Sequence, residues 1–202
     1  MQTQRAFGQD SAAKVAVVIS PALFVPVSVA AQGGLQLAVS RRLSLLAEAA
    51  FPLFEPDNTT YQKIDYWRVG LEIRHRLPQK NFRRYLALQG SYLFRELTNA
   101  GGGNYYTRNQ TFAYSSAHIK SPVLSTAVKL GMELPIGKRT FFDLFAGVGV
   151  RMIFNRYTTG MALVTSIEPE KQNFLKFDNA WLYNYTLVRP HFTTGLRFGV
   201  WL

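Results

Sequence analysis

Apolar and polar residues alternate with a period of two along most of this chain. Between Trp67 and Leu77, the residues Trp67, Val69, Leu71, Ile73, His75 and Leu77 fall on one side of an extended segment. Arg68, Gly70, Glu72, Arg74 and Arg76 fall on the other. A helix would scatter those charges around its circumference, whereas a strand gathers them on one face. From Leu124 to Leu134, Thr126, Val128, Leu130, Met132 and Leu134 oppose Ser125, Ala127, Lys129, Gly131 and Glu133. From Phe142 to Phe154, Leu144, Ala146, Val148, Val150 and Met152 oppose Asp143, Gly147, Gly149, Arg151 and Asn155. At the end of the chain, Phe192, Leu196, Phe198, Val200 and Leu202 oppose His191, Thr193, Gly195, Arg197 and Trp201. Weaker alternation marks Ala13–Ser20, Val29–Ser40, Leu43–Phe54 and Arg84–Leu97. The pattern predicts about eight strands, most as long as the ~9–11 residues that a tilted strand needs to cross a bilayer.

The links between strands carry a second regularity. Ser40–Arg42, Pro78–Asn81 and Ile136–Arg139 are short turns, and Glu55–Lys63, Thr98–Pro122 and Tyr157–Leu187 are long polar segments. Short and long links alternate after the first strand, as they do in transmembrane barrels with tight periplasmic turns and long extracellular loops. The expected fold is all-β: a transmembrane antiparallel up-and-down β-barrel of about eight strands. Residues 1–12 are expected to form an N-terminal periplasmic segment and 13–202 a single transmembrane barrel domain.

Composition narrows the class. Mean hydropathy is −0.03, which argues against a helical membrane protein, while an alternating barrel gives such an average. From Val15 to Ser40 there is no charge. A transmembrane helix or signal-peptide core there is opposed by Pro21, Pro26, Gly33, Gly34 and the β-branched residues. Two strands and a tight Pro-containing turn are expected instead, in a chain corresponding to the mature form. There is no cysteine, so neither disulfides nor thiolate metal sites are available. The net charge of +11 is spread along the chain without a run of five like charges. That argues against nucleic acid and for outer-membrane lipid, including lipopolysaccharide, as the charged partner. A soluble antiparallel barrel would show the same periodicity with the faces inverted. Strand length favours the membrane, as do aromatics near the strand ends (Tyr66, Trp67, Tyr85, Tyr92, Phe94, Phe141, Phe142, Phe154 and Trp201).

Three stretches give the chain a family likeness: Lys14–Ser20 followed by Leu35–Leu45, Gly137–Arg151, and the aromatic-rich end Gly195–Leu202. The sequence resembles small outer-membrane β-barrels of Bacteroidetes-type bacteria, many of them of unknown function. The resemblance implies integral outer-membrane location. It also implies that Phe198, Trp201 and Leu202 form the terminal signal read by the barrel-assembly machinery, with Leu where the last residue is usually Phe.

An eight-stranded barrel has an interior just wide enough to be filled by side chains. The inward set is expected to include Lys14, Glu48, Arg68, Glu72, Arg74, Arg95, Lys129, Glu133, Asp143, Arg151 and Arg197, paired across the lumen because unpaired buried charge is costly. An anion-selective pore built on the surplus arginines is the alternative. The long segments carry Tyr105, Tyr106, Phe112 and Tyr114, then Phe174, Phe177, Trp181 and Tyr183, which are candidate contacts for another outer-membrane protein. His191-Phe192-Thr193-Thr194 faintly resembles the His-x-Ser-Asn segment of outer-membrane lipid A deacylases, but lacks the Ser, the Asn and an assignable acid. No phosphate loop, metal-ligand cluster or nucleotide fingerprint occurs, so no cofactor is expected. The reading is a non-enzymatic structural or accessory subunit of an outer-membrane assembly. A lipid A-modifying hydrolase or a surface-binding adhesin are the alternatives.

Overall fold

A computed structural model describes residues 14–25, 28–53, 63–78, 83–99, 101–166 and 182–202. The expected N-terminal segment 1–12, Phe174, Phe177 and Trp181 lie outside the described residues. Eight long strands form the body: β1 (Lys14–Val25), β2 (Ser28–Ala38), β3 (Leu43–Pro52), β4 (Lys63–Arg76), β5 (Arg83–Asn99), β9 (Val123–Pro135), β10 (Thr140–Phe154) and β13 (Thr186–Trp201). Five short strands lie between them: β6 (Gly103–Tyr106), β7 (Thr111–Tyr114), β8 (Ala117–Lys120), β11 (Arg156–Thr159) and β12 (Ala162–Ser166). The long strands pair antiparallel in chain order, β5 with β9 and β10 with β13, and β13 returns to β1. The result is the expected closed eight-stranded up-and-down barrel.

The register fixes its dimensions. The row of paired residues that starts at Trp201 runs through Ala16, Gln36, Leu46, Glu72, Gln89, Ala127 and Gly149. It re-enters β13 at His191, ten residues from its start. Eight strands at ~4.8 Å spacing and a stagger of ten residues at ~3.4 Å give a tilt of roughly 40° and a radius of about 8 Å. The two described turns between long strands, at 39–42 and 136–139, close one end of the barrel, the turn end; the short strands crown the other, the loop end.

Alternation sorts the two faces. Val17, Leu35, Leu71, Leu88, Val128, Leu130, Val148 and Phe192 point outward and are exposed. Glu72, Arg74, Lys129, Glu133, Asp143 and Arg197 point inward and are buried. The expected aromatic belt is only partly on the outer wall. Trp67 stacks on Tyr92 and Phe94 there, and Phe142 meets Phe198 toward the turn end. Tyr66, Tyr85 and Phe141 instead fall on the inward parity of their strands and are buried. Tyr85 covers its register partner Gly131, and Phe141 covers Gly199; each ring occupies the space that a side chain on the glycine would need.

The long links differ from expectation. Thr98–Pro122 and Tyr157–Leu187, read as loops, hold most of the short strands. β5 continues past its pairing with β9 so that Glu96–Asn99 pair with β8, which pairs in turn with β11. β6, β7 and β12 form a separate three-stranded sheet. His118, expected in a loop, therefore sits on β8. Runs of four or five residues are too short for alternation to stand out from turn composition.

Gly131→Ala would place a methyl carbon 2.2 Å from Cζ of the buried Tyr85 ring. It is expected to destabilise the barrel by about 1–3 kcal/mol. Gly90→Ala, where nothing lies within 4 Å, should be near neutral. Urea unfolding of the two variants in detergent checks the difference.

Candidate functional site: the charged lumen

The turn-end half of the lumen holds one continuous polar network. Arg197 on β13 donates to Glu48 at 2.7 Å through both Nε and Nη2, to Asp143 at 3.1 Å and to Glu72 at 3.2 Å. Arg74 donates to Glu72 at 2.6 Å, Asp143 at 2.8 Å, Gln36 at 3.0 Å and Glu133 at 3.4 Å. Lys129 reaches Glu72 at 2.9 Å, and Arg76 lies 3.9 Å from Glu133. Tyr85 donates to Asp143 at 2.7 Å, Gln32 to Glu48 at 2.8 Å and Gln36 to Glu133 at 2.7 Å. Four carboxylates thus meet four cations, and the side chains come from every barrel strand except β1. The Phe145 ring packs beneath two of the cations, 3.9 Å from the Arg197 guanidinium carbon and 4.1 Å from Lys129 Nζ.

Glu48, Glu72, Arg74, Lys129, Glu133, Asp143 and Arg197, all expected on sequence grounds, are brought together. Arg68, Arg95 and Arg151 are not, because the carboxylates all lie at the turn end. Arg95 donates to the backbone carbonyl and hydroxyl of Ser121 at 3.2 and 2.8 Å. Arg68 and Arg151 are half-buried and make no ion pair within 4 Å among the described residues, although Glu48 and Glu72 act on Arg68 from below. Lys14 is on the inward parity of β1 but exposed at the turn end. Sequence reading missed Arg189, which is buried, because Pro190 hid the first part of β13. It also missed Gln32, Gln36 and Tyr85, which carry no charge to draw attention.

The aromatic contact candidates turn inward. Tyr105 stacks on Phe112 and Tyr157 with ring centroids 5.1 and 4.6 Å apart and packs with Tyr114, Leu97 and Ile119. Tyr106 stacks on Tyr183, which belongs to a second cluster with Val123, Ile153 and Leu187. Tyr105, Tyr114 and Tyr183 are buried, so they close the loop end rather than present a surface. Short aromatic strands can bury their rings only against one another, which is why the segments fold onto themselves.

Among the described residues, no nucleophile, base and acid come together around His191. The charged groups acting on His191 are Arg151, Arg68 and Lys129, all cations, so no carboxylate among the described residues orients the ring. On the outer face of the loop end, His118 Nδ1 lies 3.3 Å from Thr98 Oγ1, and His118 Nε2 contacts Glu96. Thr98 is paired with Lys63 and His118, and His118 with Thr98 and Thr158. Both backbones are therefore inside a sheet and offer no spare N–H groups to hold an oxyanion.

No protein-family model, curated protein or solved structure matches the chain. The fold and lumen define a small antiparallel β-barrel with an apolar outer wall and a charge-filled interior, consistent with a small outer-membrane barrel.

Asp143→Asn leaves Arg74, Arg197 and Tyr85 short of a shared charged acceptor. It is expected to cost about 3–5 kcal/mol. Arg41→Gln on an exposed turn should fall within about 0.5 kcal/mol of wild type. Denaturant midpoints in one detergent compare them.

Proposed function

We propose that this chain is an integral outer-membrane β-barrel and works as a non-enzymatic structural or accessory subunit of an outer-membrane protein assembly. The observation that carries the membrane reading is the inverted partition: charge inside the barrel, large apolar side chains exposed around its outside. In water, so wide an apolar wall would drive aggregation. In hydrocarbon it is the required solvent face, and a closed barrel leaves no unpaired strand edge. From Leu124 to Leu134 the outward residues of β9 cover about 26 Å along the axis at the roughly 40° tilt, close to the ~25 Å apolar band of such barrels. A belt of this kind supports insertion by the barrel-assembly machinery, for which the terminal strand supplies Phe198 and Leu202 outward and Trp201 inward.

The accessory role is supported by the external sheet. Met161 and Leu163 beside and on β12 are 76% and 73% exposed, beyond the strands of the belt. They, rather than the buried tyrosines, offer apolar area for another outer-membrane protein. The filled turn-end lumen supports a structural rather than a conducting barrel.

Two measurements test this. Val128 is half-exposed at the middle of the wall, and Val128→Arg is expected to lower folding stability in lipid vesicles by about 2–4 kcal/mol. A soluble barrel would tolerate the change within ~0.5 kcal/mol, and that result would reject membrane insertion. For the assembly, the tagged barrel is extracted from membranes in mild detergent. A stoichiometric outer-membrane protein should copurify with wild type and be lost with Leu163→Asp, while the barrel still migrates as a compact band until boiled. A clean monomer would remove the accessory reading.

A further inference from the structure

We propose that the turn end of the barrel, in the membrane-inserted state that this site presupposes, binds anionic phospholipid headgroups through an exposed ring of Arg41, Arg42, Arg84, Lys138 and Arg139. The fold gathers cations that are scattered in the sequence. The links at the turn end, 39–42, 77–82 and 136–139, carry Arg41, Arg42, Lys80, Lys138 and Arg139 and no acidic residue, and Arg83 and Arg84 open β5 beside them. The links at the loop end, 26–27, 53–62, 100–122 and 155–185, are balanced. There Arg108, Lys120, Arg156, Lys171 and Lys176 are matched by Glu55, Asp57, Glu168, Glu170 and Asp178. Because the two sets of links alternate along the chain, this asymmetry shows only once the barrel sorts them to opposite ends. Glu133 and Asp143, the acidic residues of β9 and β10 nearest a turn, point inward and are buried in ion pairs.

The five cations of the ring are all exposed. They stand at three of the four strand junctions of this rim, the fourth being the β1–β13 seam. The apolar wall begins directly beside them. Val39 and Ile136 share the turns with them, Leu77 follows the end of β4, and Leu86 and Leu88 succeed Arg84 on the outward face of β5; all five are exposed. Phe142 and Phe198 meet on the same wall toward this end. Apolar wall, aromatic pair and cations thus follow one another as hydrocarbon, interface and headgroups do at a bilayer surface. Long basic side chains at that level lay their stems on hydrocarbon and present their charge to lipid phosphates. An acidic soluble partner would be met by cations alone and would not call for exposed apolar residues among them. Lipopolysaccharide, the charged partner expected from composition, would lie at the loop end, where the links carry no surplus.

The full-length barrel is reconstituted in phosphatidylcholine vesicles at low salt with a trace of chain-spin-labelled phosphatidylglycerol or phosphatidylcholine. The motionally restricted fraction of each label is read by electron spin resonance. Phosphatidylglycerol is expected to associate about threefold or more over phosphatidylcholine. The preference should fall close to one in Arg42→Gln/Arg84→Gln/Arg139→Gln, which removes one cation from each turn. It should persist in Arg108→Gln/Lys120→Gln/Arg156→Gln, which removes the same charge at the loop end. Equal association of the two lipids with wild type, or a preference that falls equally in both triple variants, overturns the proposal. Capture of soluble poly-glutamate by a barrel without lipid preference would do so too, assigning the ring to an acidic protein. Restricted phosphatidylcholine without a preference removes the ring alone, whereas no restricted lipid of either kind removes the membrane reading with it. Should the turn variant fail to assemble, Lys138→Glu/Arg139→Glu on one exposed turn must still lower the preference, and an unchanged ratio would be equally decisive against.

Discussion

The Arg197 guanidinium holds carboxylates that lie 149, 125 and 54 residues away along the chain, on three different strands. Such contacts exist only in the closed barrel, and they suit only one barrel size. At a radius of about 8 Å, set by eight strands and a ten-residue stagger, side chains from opposite walls meet across the axis. A wider barrel would admit water between the ion pairs, and a narrower one would leave no room for Arg74 and Arg197 together. The glycines beneath Tyr85 and Phe141 serve the same requirement, removing side chains where large rings must lie flat on the inner wall. Lumen chemistry and backbone geometry are thus a single constraint, and replacing Asp143 tests both at once.

Much of this was legible in the sequence, because alternation of bulky apolar residues with charge reports directly which face each residue joins. It gave the parity of Glu72, Arg74, Lys129, Glu133, Asp143 and Arg197, and size then required their pairing. Parity says nothing of height along the barrel. That depends on tilt and stagger, which arise only when all the registers are closed into a ring. So Arg68 and Arg151 could be assigned to the lumen but not separated from the carboxylates below them. Arg189 was lost behind Pro190, and the short strands β6, β7 and β8 were lost because four residues carry too little period. The aromatic residues failed for another reason. A tyrosine near a strand end is equally at home at a membrane interface or over an inward glycine, and only register decides between the two.

The axial separation of charge changes how the positive balance of the chain should be understood. Four carboxylates meet four cations at the turn end, and the inward arginines outside that network, Arg68, Arg95, Arg151 and Arg189, lie at a level nearer the loop end. That level lies between two different closures: buried ion pairs on one side and the aromatic cluster around Tyr183 on the other. The lower closure is rigid, since Glu72, Arg74, Glu133, Asp143 and Arg197 are at most 2% exposed. A continuous water path along the axis would have to break that network, at a cost of several kcal/mol for each charge left unpaired.

The β1–β13 seam shows how side chains can hold what the backbone does not. β10 and β13 pair over fifteen residues, from Thr140–Val200 to Phe154–Thr186, whereas β1 and β13 pair over four. Only the turn end of this seam is laced by strand hydrogen bonds, with the Leu202 amide donating to the Val15 carbonyl just beyond it. Arg197 lies one residue past the last paired position of β13, and its two bonds to Glu48 reach beyond β1 and β2 to β3. The seam is bridged through the lumen, from behind. A charged pair buried on both sides resists separation far more than a surface pair would, because pulling the strands apart exposes each charge to an interior without water. Closure at the turn end thus depends on the carboxylates of β3, β4 and β10, while the seam above Ile19 is left without that brace.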